Sequence, residues 1–304
     1  MDDLPSPLER APAEVANGLE VWWKREDAHE LGAFKWRGAL PTVAAYQERG
    51  ATAVVTASTG NHGAAVAWAS RQLGLRAMVY APAGASLSKL ALIDGLGAEI
   101  RIAGTDLDFA KDEGKHFAAE ASLPFFEDGI EPTQYEGYGA IADEIVDAMA
   151  EPPSAVVVPV GNGALVGGIG RALQRRSPGT LVIGVVAKEA PVMARSWDAG
   201  RAVECSRMAT FADGLAVRVA IPEAVALLDR VVDRMVPVSE RSIALAMGAC
   251  AKVGIRVEPA AAAGLAALPA ISDVEGPIVA IVTGRNVDDE IWRQAVENPG
   301  AFPD

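Results

Sequence analysis

A chain of 304 residues, half of them hydrophobic, is long enough for one large domain or two modest ones and fills a dry core, which excludes a disordered protein. A formal net charge of −13 without any Lys/Arg cluster excludes nucleic acid as a partner. Apolar stretches such as 155–160 and 277–282 fall far short of the ~20 residues that cross a bilayer. The acidic start Met1-Asp2-Asp3 lacks the pattern of a secretion signal, so a cytoplasmic protein with no membrane partner is expected.

Strand-like and helix-like runs alternate along the chain, the pattern of parallel sheets wrapped by helices. Residues 53–56 read as a strand, 63–73 as a helix after a glycine turn, 77–80 as a strand, 88–96 as a helix and 98–102 as a strand. Glu151-Pro152-Pro153 marks a boundary. Strands at 156–160 and 182–186 flank a helix at 166–175. An Ala-rich run at 260–267 fits a close-packed helix, and a buried strand at 278–282 breaks at Gly284.

Cys205 and Cys250 are the only cysteines. They match no metal spacing and read as small apolar side chains in a reducing compartment. His29, His62 and His116 are too far apart in sequence for a zinc motif, so no metal site is expected.

Lys35 lies in Gly32-Ala33-Phe34-Lys35-Trp36-Arg37-Gly38, after Lys24-Arg25-Glu26-Asp27. Taken alone, a lysine between two aromatics is more often a snorkelling surface side chain than a nucleophile. Two strand-to-helix turns follow, Ser58-Thr59-Gly60-Asn61-His62-Gly63 and Gly161-Asn162-Gly163-Ala164-Leu165. Such a turn offers backbone N–H groups and a positive helix end to an anion, although the first also reads as an ordinary N-cap and the second as tight packing. Val257-Glu258-Pro259 and Thr283-Gly284-Arg285-Asn286 close the set.

In this order, from about Trp22 to about Asp288, the five motifs resemble the fold-type II pyridoxal phosphate (PLP) enzymes, most closely their threonine/serine dehydratase and serine racemase branch. The resemblance implies an α/β fold of two open, twisted, mostly parallel sheets flanked by helices, similar to the tryptophan synthase β chain. A large domain of residues 1–46 with 133–304 would bear the cofactor, a small domain of 47–132 would be inserted in it, and PLP would lie in the cleft between them. A homodimer is the implied assembly.

The resemblance also assigns roles. Lys35 would carry the cofactor's aldehyde and move protons, with Phe34 pressed against the pyridine ring. Asn61 would hydrogen-bond the phenolic oxygen. Gly161, Asn162, Gly163, Ala164 and Leu165 would cradle the phosphate, where the family shows four consecutive glycines, and this departure requires Asn162 and Ala164 to adopt suitable dihedrals. Glu258 and Thr283 complete the cofactor site; a neutral hydroxyl at Thr283, facing the pyridine nitrogen, suits elimination more than transamination. Ser58, Thr59, Gly60, Asn61 and His62 would hold the substrate carboxylate.

Thr59 stands where serine racemases have a serine that serves as a second acid/base and where many threonine dehydratases have alanine; its β-branch stiffens χ1. Val186 replaces the glutamate of a divalent-cation site in serine racemases, so that site is expected to be missing. The function implied is an ammonia-lyase acting on a small hydroxyamino acid such as L-threonine or L-serine. Racemisation and threonine-synthase-like β-replacement remain alternatives. No regulatory domain is expected after the last motif, and a feedback-inhibited biosynthetic enzyme is accordingly not the expected one. Side-chain selection is expected in loops such as 129–139.

Overall fold

The computed structural model describes residues 5–205 and 208–304; the start Met1-Asp2-Asp3 lies outside the described residues. The chain divides into two compact units, one formed by the described residues up to Ala33 with Tyr138–Asp304, the other by Phe34–Gly137. The described residues contain the strands β1 (Leu8–Arg10), β2 (Val21–Arg25), β3 (Ala53–Ala57), β4 (Arg76–Ala81), β5 (Glu99–Ile102), β6 (Ala155–Pro159), β7 (Leu181–Ala187), β8 (Arg234–Val238) and β9 (Ile278–Val282).

The larger unit holds a six-stranded sheet in the order β1-β2-β9-β6-β7-β8. All its pairings are parallel except that of β1 with β2. β6 (Ala-Val-Val-Val-Pro) and β9 (Ile-Val-Ala-Ile-Val) are buried at every residue, the continuous apolar signature of interior parallel strands. Pro237 cannot donate to a ladder, and it sits on β8 at the sheet edge, where that donor is not required. Val157, Ile183, Ile243, Met247, Ala262 and Ala280 belong to the core of this unit.

In the smaller unit β3, β4 and β5 form a parallel three-stranded sheet. The helix Leu107–Glu120 packs on β3 and β4, and the helices Trp36–Glu48 and Asn61–Gln72 pack on each other. Val55, Met78, Tyr80, Ala110 and Ala118 form a core here.

Three sequence expectations change. The helices after the glycine turns start at Asn61 and Ala164, two residues ahead of 63 and 166, because each turn feeds directly into its helix. Residues 129–139 are not one loop, since a helix runs over Pro132–Ala148. Glu151-Pro152-Pro153 joins that helix to β6 inside the larger unit and is not a boundary between units. Among the described residues, no helix is long and apolar enough to cross a membrane.

Candidate active site

In the smaller unit, Lys35 immediately precedes the helix Trp36–Glu48, with relaxed backbone angles of φ −60° and ψ −23°. Its side chain is 15% exposed, and Nζ lies 5.2 Å from the centroid of the buried Phe34 ring, within cation–π range. Nζ donates to Oδ2 of Asp128 at 2.5 Å. The other carboxylate oxygen of Asp128, Oδ1, accepts from Gln134 Nε2 at 2.6 Å. Gln134 is fully buried, and its Oε1 accepts the Gly129 N–H at 2.7 Å.

Burial pushes the Asp128 carboxyl up, but the charge of Lys35 and the hydrogen bonds from Lys35 and Gln134 outweigh it and hold the group well below the usual carboxylate range. His62 Nδ1 stands 3.7 Å from Asp128 Oδ1. Burial lowers the His62 pKa more strongly than Asp128 raises it, so the imidazole is neutral near pH 7.

The turn at the carboxyl end of β3 starts the helix Asn61–Gln72. Gly60 is its N-cap, and no side chain caps it; Ser58 Oγ instead accepts the Gly60 N–H at 3.2 Å, within the turn. The glycine N-cap has no side chain to give a capping bond, and the first turn presents N–H groups that a helix cannot satisfy internally. His62 turns its ring inward. Its Nε2 lies 3.1 Å from Thr56 Oγ1 and 3.3 Å from Phe126 O, and the ring stacks edge-on against Phe126. What His62 offers at the helix start is its main-chain N–H. Ser58 is buried, while Thr59 and Asn61 are half-buried.

In the larger unit, β6 leads into Gly161-Asn162-Gly163 and the helix Ala164–Arg176. Gly163, the N-cap, has φ +93° and ψ −6°. Asn162 and Ala164 are not among the positive-φ residues. The chain thus needs only one left-handed residue here, and it is a glycine, so the Asn and Ala departures carry no strain. A Cβ at Gly161 would stand 2.5 Å from the Gly214 carbonyl oxygen, which leaves that position to glycine. Asn162 Oδ1 accepts the Ala164 N–H at 3.1 Å, and Leu165 is buried.

Thr283, 2% exposed, follows β9. The next residue, Gly284, bridges to Ala33 and accepts the Glu258 N–H at 3.0 Å. A Cβ on Gly284 would meet the buried Glu258 carboxylate at 2.7 Å. Val186 is buried within β7, and among the described residues no three His, Cys, Asp or Glu side chains form a metal-binding group. Cys205 and Cys250 are buried free thiols, and burial pushes Cys250 up to about 12.

The family profile described as "Pyridoxal-phosphate dependent enzyme" matches residues 2–284. The chain belongs to this family. It is 35% identical over 279 residues to the L-threonine ammonia-lyase of Thermotoga maritima, covering 91% of this chain and 69% of that protein. It is 31% identical over 283 residues to the biosynthetic L-threonine dehydratase of Haemophilus influenzae, covering 91% of this chain and 55% of that one; the chain thus spans only about half the length of this second relative. Among solved structures, the processed form of threonine deaminase isoform 2 from Solanum lycopersicum superposes with a TM-score of 0.91 at 29% identity, covering 97% of this chain and 88% of that one.

The cofactor of this PLP enzyme fits the residues present. A phosphate dianion suits a helix start preceded by a glycine turn with no room for a Cβ at Gly161, where Asn162 Oδ1 takes the Ala164 N–H. A primary amine stands on the smaller unit at Lys35. Sequence reasoning missed Asp128 and Gln134. The only signal was a charged pair, Glu127-Asp128, directly after Phe125-Phe126, which reads equally as the solvated end of a strand.

Proposed function

We propose that the protein is a PLP-dependent ammonia-lyase that converts a small hydroxyamino acid, such as L-threonine or L-serine, into a 2-oxo acid and ammonia. The observation that carries the reading is in the smaller unit. One carboxylate, Asp128, lies 2.5 Å from the Lys35 amine and 3.7 Å from His62, the second residue of the helix Asn61–Gln72. A proton-moving amine and an anion-binding helix start thereby share one neighbourhood, as an α-amino acid substrate requires.

PLP supplies an aldehyde for an amine and a sink for the electrons left when Cα loses its proton. Lys35 Nζ would hold that aldehyde and, once free, take the Cα proton of the substrate. Phe34 would line the ring, and Asn61 would donate to the phenolic oxygen. Ser58, Thr59, Gly60 and the N–H groups of Asn61 and His62 would hold the substrate carboxylate. Residues 161–165 would hold the phosphate through main-chain N–H groups. Thr283 would face the pyridine nitrogen with a neutral hydroxyl, and Glu258 would support the Gly284 turn beside it.

We take the domains to be residues 1–46 with 133–304 and an inserted 47–132, and the assembly to be a homodimer working in the cytoplasm, where two free thiols stay reduced. Light scattering on the purified protein tests the assembly.

The decisive experiment supplies L-threonine, L-serine, their D-isomers and 2,3-diamino acids to the holoenzyme and measures oxo acid, ammonia and chirality. Oxo acid with ammonia from a hydroxyamino acid supports the lyase. A D-amino acid from an L-substrate without oxo acid replaces it with a racemase. Oxo acid from the diamino acids alone moves the substrate class.

A further inference from the structure

Asp128 is placed with more care than a surface carboxylate. Gln134 Nε2 fixes its Oδ1 at 2.6 Å, and Gln134 Oε1 fixes the next residue through the Gly129 N–H at 2.7 Å. Tyr135 Oη then donates to the Gly129 carbonyl at 2.7 Å. Three hydrogen bonds to two adjacent helix residues therefore hold Asp128 and Gly129. Its free oxygen, Oδ2, takes Lys35 Nζ.

The charged and titratable groups facing Asp128 are Lys35 and His62. Glu127, its neighbour in sequence, pairs with Lys111 and Lys115 and is occupied elsewhere. His62 is kept neutral by burial, so Lys35 is the cation to which Asp128 answers.

We propose that Asp128 is a positioning residue for Lys35: its carboxylate, clamped by Gln134, holds the lysine nitrogen both while it carries the cofactor and when it is released. The proposal rests on the assignment of Lys35 made above. A proton-carrying lysine has to be neutral to take a proton and charged until it gives one back. On a flexible four-carbon stem the charged amine has many places to go. A fixed carboxylate at hydrogen-bonding distance confines it to one line of approach.

Asp128→Asn removes that charge while keeping the shape. In the Asp128→Asn holoenzyme, the acid limb of the kcat–pH profile is expected to move down by about one unit or more. The pH midpoint of the bound cofactor's visible absorbance band, read without substrate, is expected to move the same way. Asp128→Glu, which keeps the charge, should leave both nearer to the parent, and Gln134→Leu, which frees the carboxylate, should move both part of the distance. A purely structural role for Asp128 lowers kcat without moving either midpoint.

The proposal is overturned when Asp128→Asn, or Gln134→Leu if the former does not fold, leaves both midpoints where they are in the parent. Borohydride trapping followed by peptide mapping separates the two levels of assignment. A label on a lysine other than Lys35 removes the cofactor reading and this proposal together. A label on Lys35 with a shifted absorbance midpoint, but no oxo acid from any amino acid, keeps the positioning role and discards only the lyase.

Discussion

The two units carry their candidate functional groups in different materials. In Phe34–Gly137 the candidate groups are the charged side chains of Lys35 and Asp128, with the neutral amide of Gln134, joined at 2.5 and 2.6 Å. In the larger unit they are main-chain N–H groups of a glycine turn, together with the uncharged Thr283. A proton carrier has to change charge during turnover, so it needs partners whose geometry is enforced. A phosphate dianion keeps its charge and asks only for oriented dipoles. The glycine turn can therefore substitute Asn162 and Ala164 freely, provided that Gly163 keeps its positive φ and Gly161 its clearance, whereas the charged cluster has no such latitude.

The largest effect that tests this contrast is at Lys35. On the proposed reading Lys35→Ala removes both the attachment point and the proton carrier, and turnover should fall by on the order of 10⁴; residual oxo-acid formation near the parent rate would move the chemistry to another residue. In the larger unit the corresponding break is steric. Gly161→Ala drives a methyl against the Gly214 carbonyl, 2.5 Å away, and should cost about 1–3 kcal/mol of stability and weaken cofactor binding. Urea titration and PLP equilibrium binding check it, and a variant with unchanged values would show that the turn tolerates bulk.

A smaller effect is expected at Thr59. If its hydroxyl only helps to position the carboxylate turn, Thr59→Ala keeps elimination within roughly tenfold, about 1.4 kcal/mol of barrier. A loss as deep as that of Lys35→Ala would make Thr59 an acid/base and put racemisation ahead of elimination. The smallest effect concerns acid stability. The Asp128 carboxyl is held below its ordinary value, so the stability it contributes is present above about pH 4, the unfolded value, and is lost as pH falls through the folded value. Asp128→Asn should therefore flatten the fall of the urea midpoint below about pH 4, and identical acid limbs would show that Lys35 and Asp128 do not interact in the folded protein.

Much of the fold was legible because its signals are local. Ile278–Val282 is five consecutive β-prone or small apolar residues ending before a Thr-Gly pair, and the strand has those same limits. The glycine turns announced both helix starts to within two residues. The helix Pro132–Ala148 was hidden because Gly137 and Gly139 interrupt it with residues that read as loop. Its glycines answer to close approach instead: a Cβ on Gly137 would stand 1.9 Å from the Arg37 carbonyl oxygen. Lys35 was legible through its neighbours in sequence, but Asp128 was not. It lies 93 residues away from the lysine it pairs with, and no periodicity connects two side chains that only the folded unit brings together.

The order of the strands has a consequence for how the chain is made. β2 pairs in parallel with β9, and Val21 meets Ile278 more than 250 residues later. At a synthesis rate of about 5–20 residues per second, the nascent β2 waits on the order of ten to fifty seconds for its neighbour to be translated. The three strands of the smaller sheet, by contrast, all lie between Ala53 and Ile102 and can pair long before that. During that interval Val21 and Trp23, both buried in the finished protein, have no sheet to join, so the ribosome-bound chain presents an apolar segment for chaperones to shield until its last strand arrives.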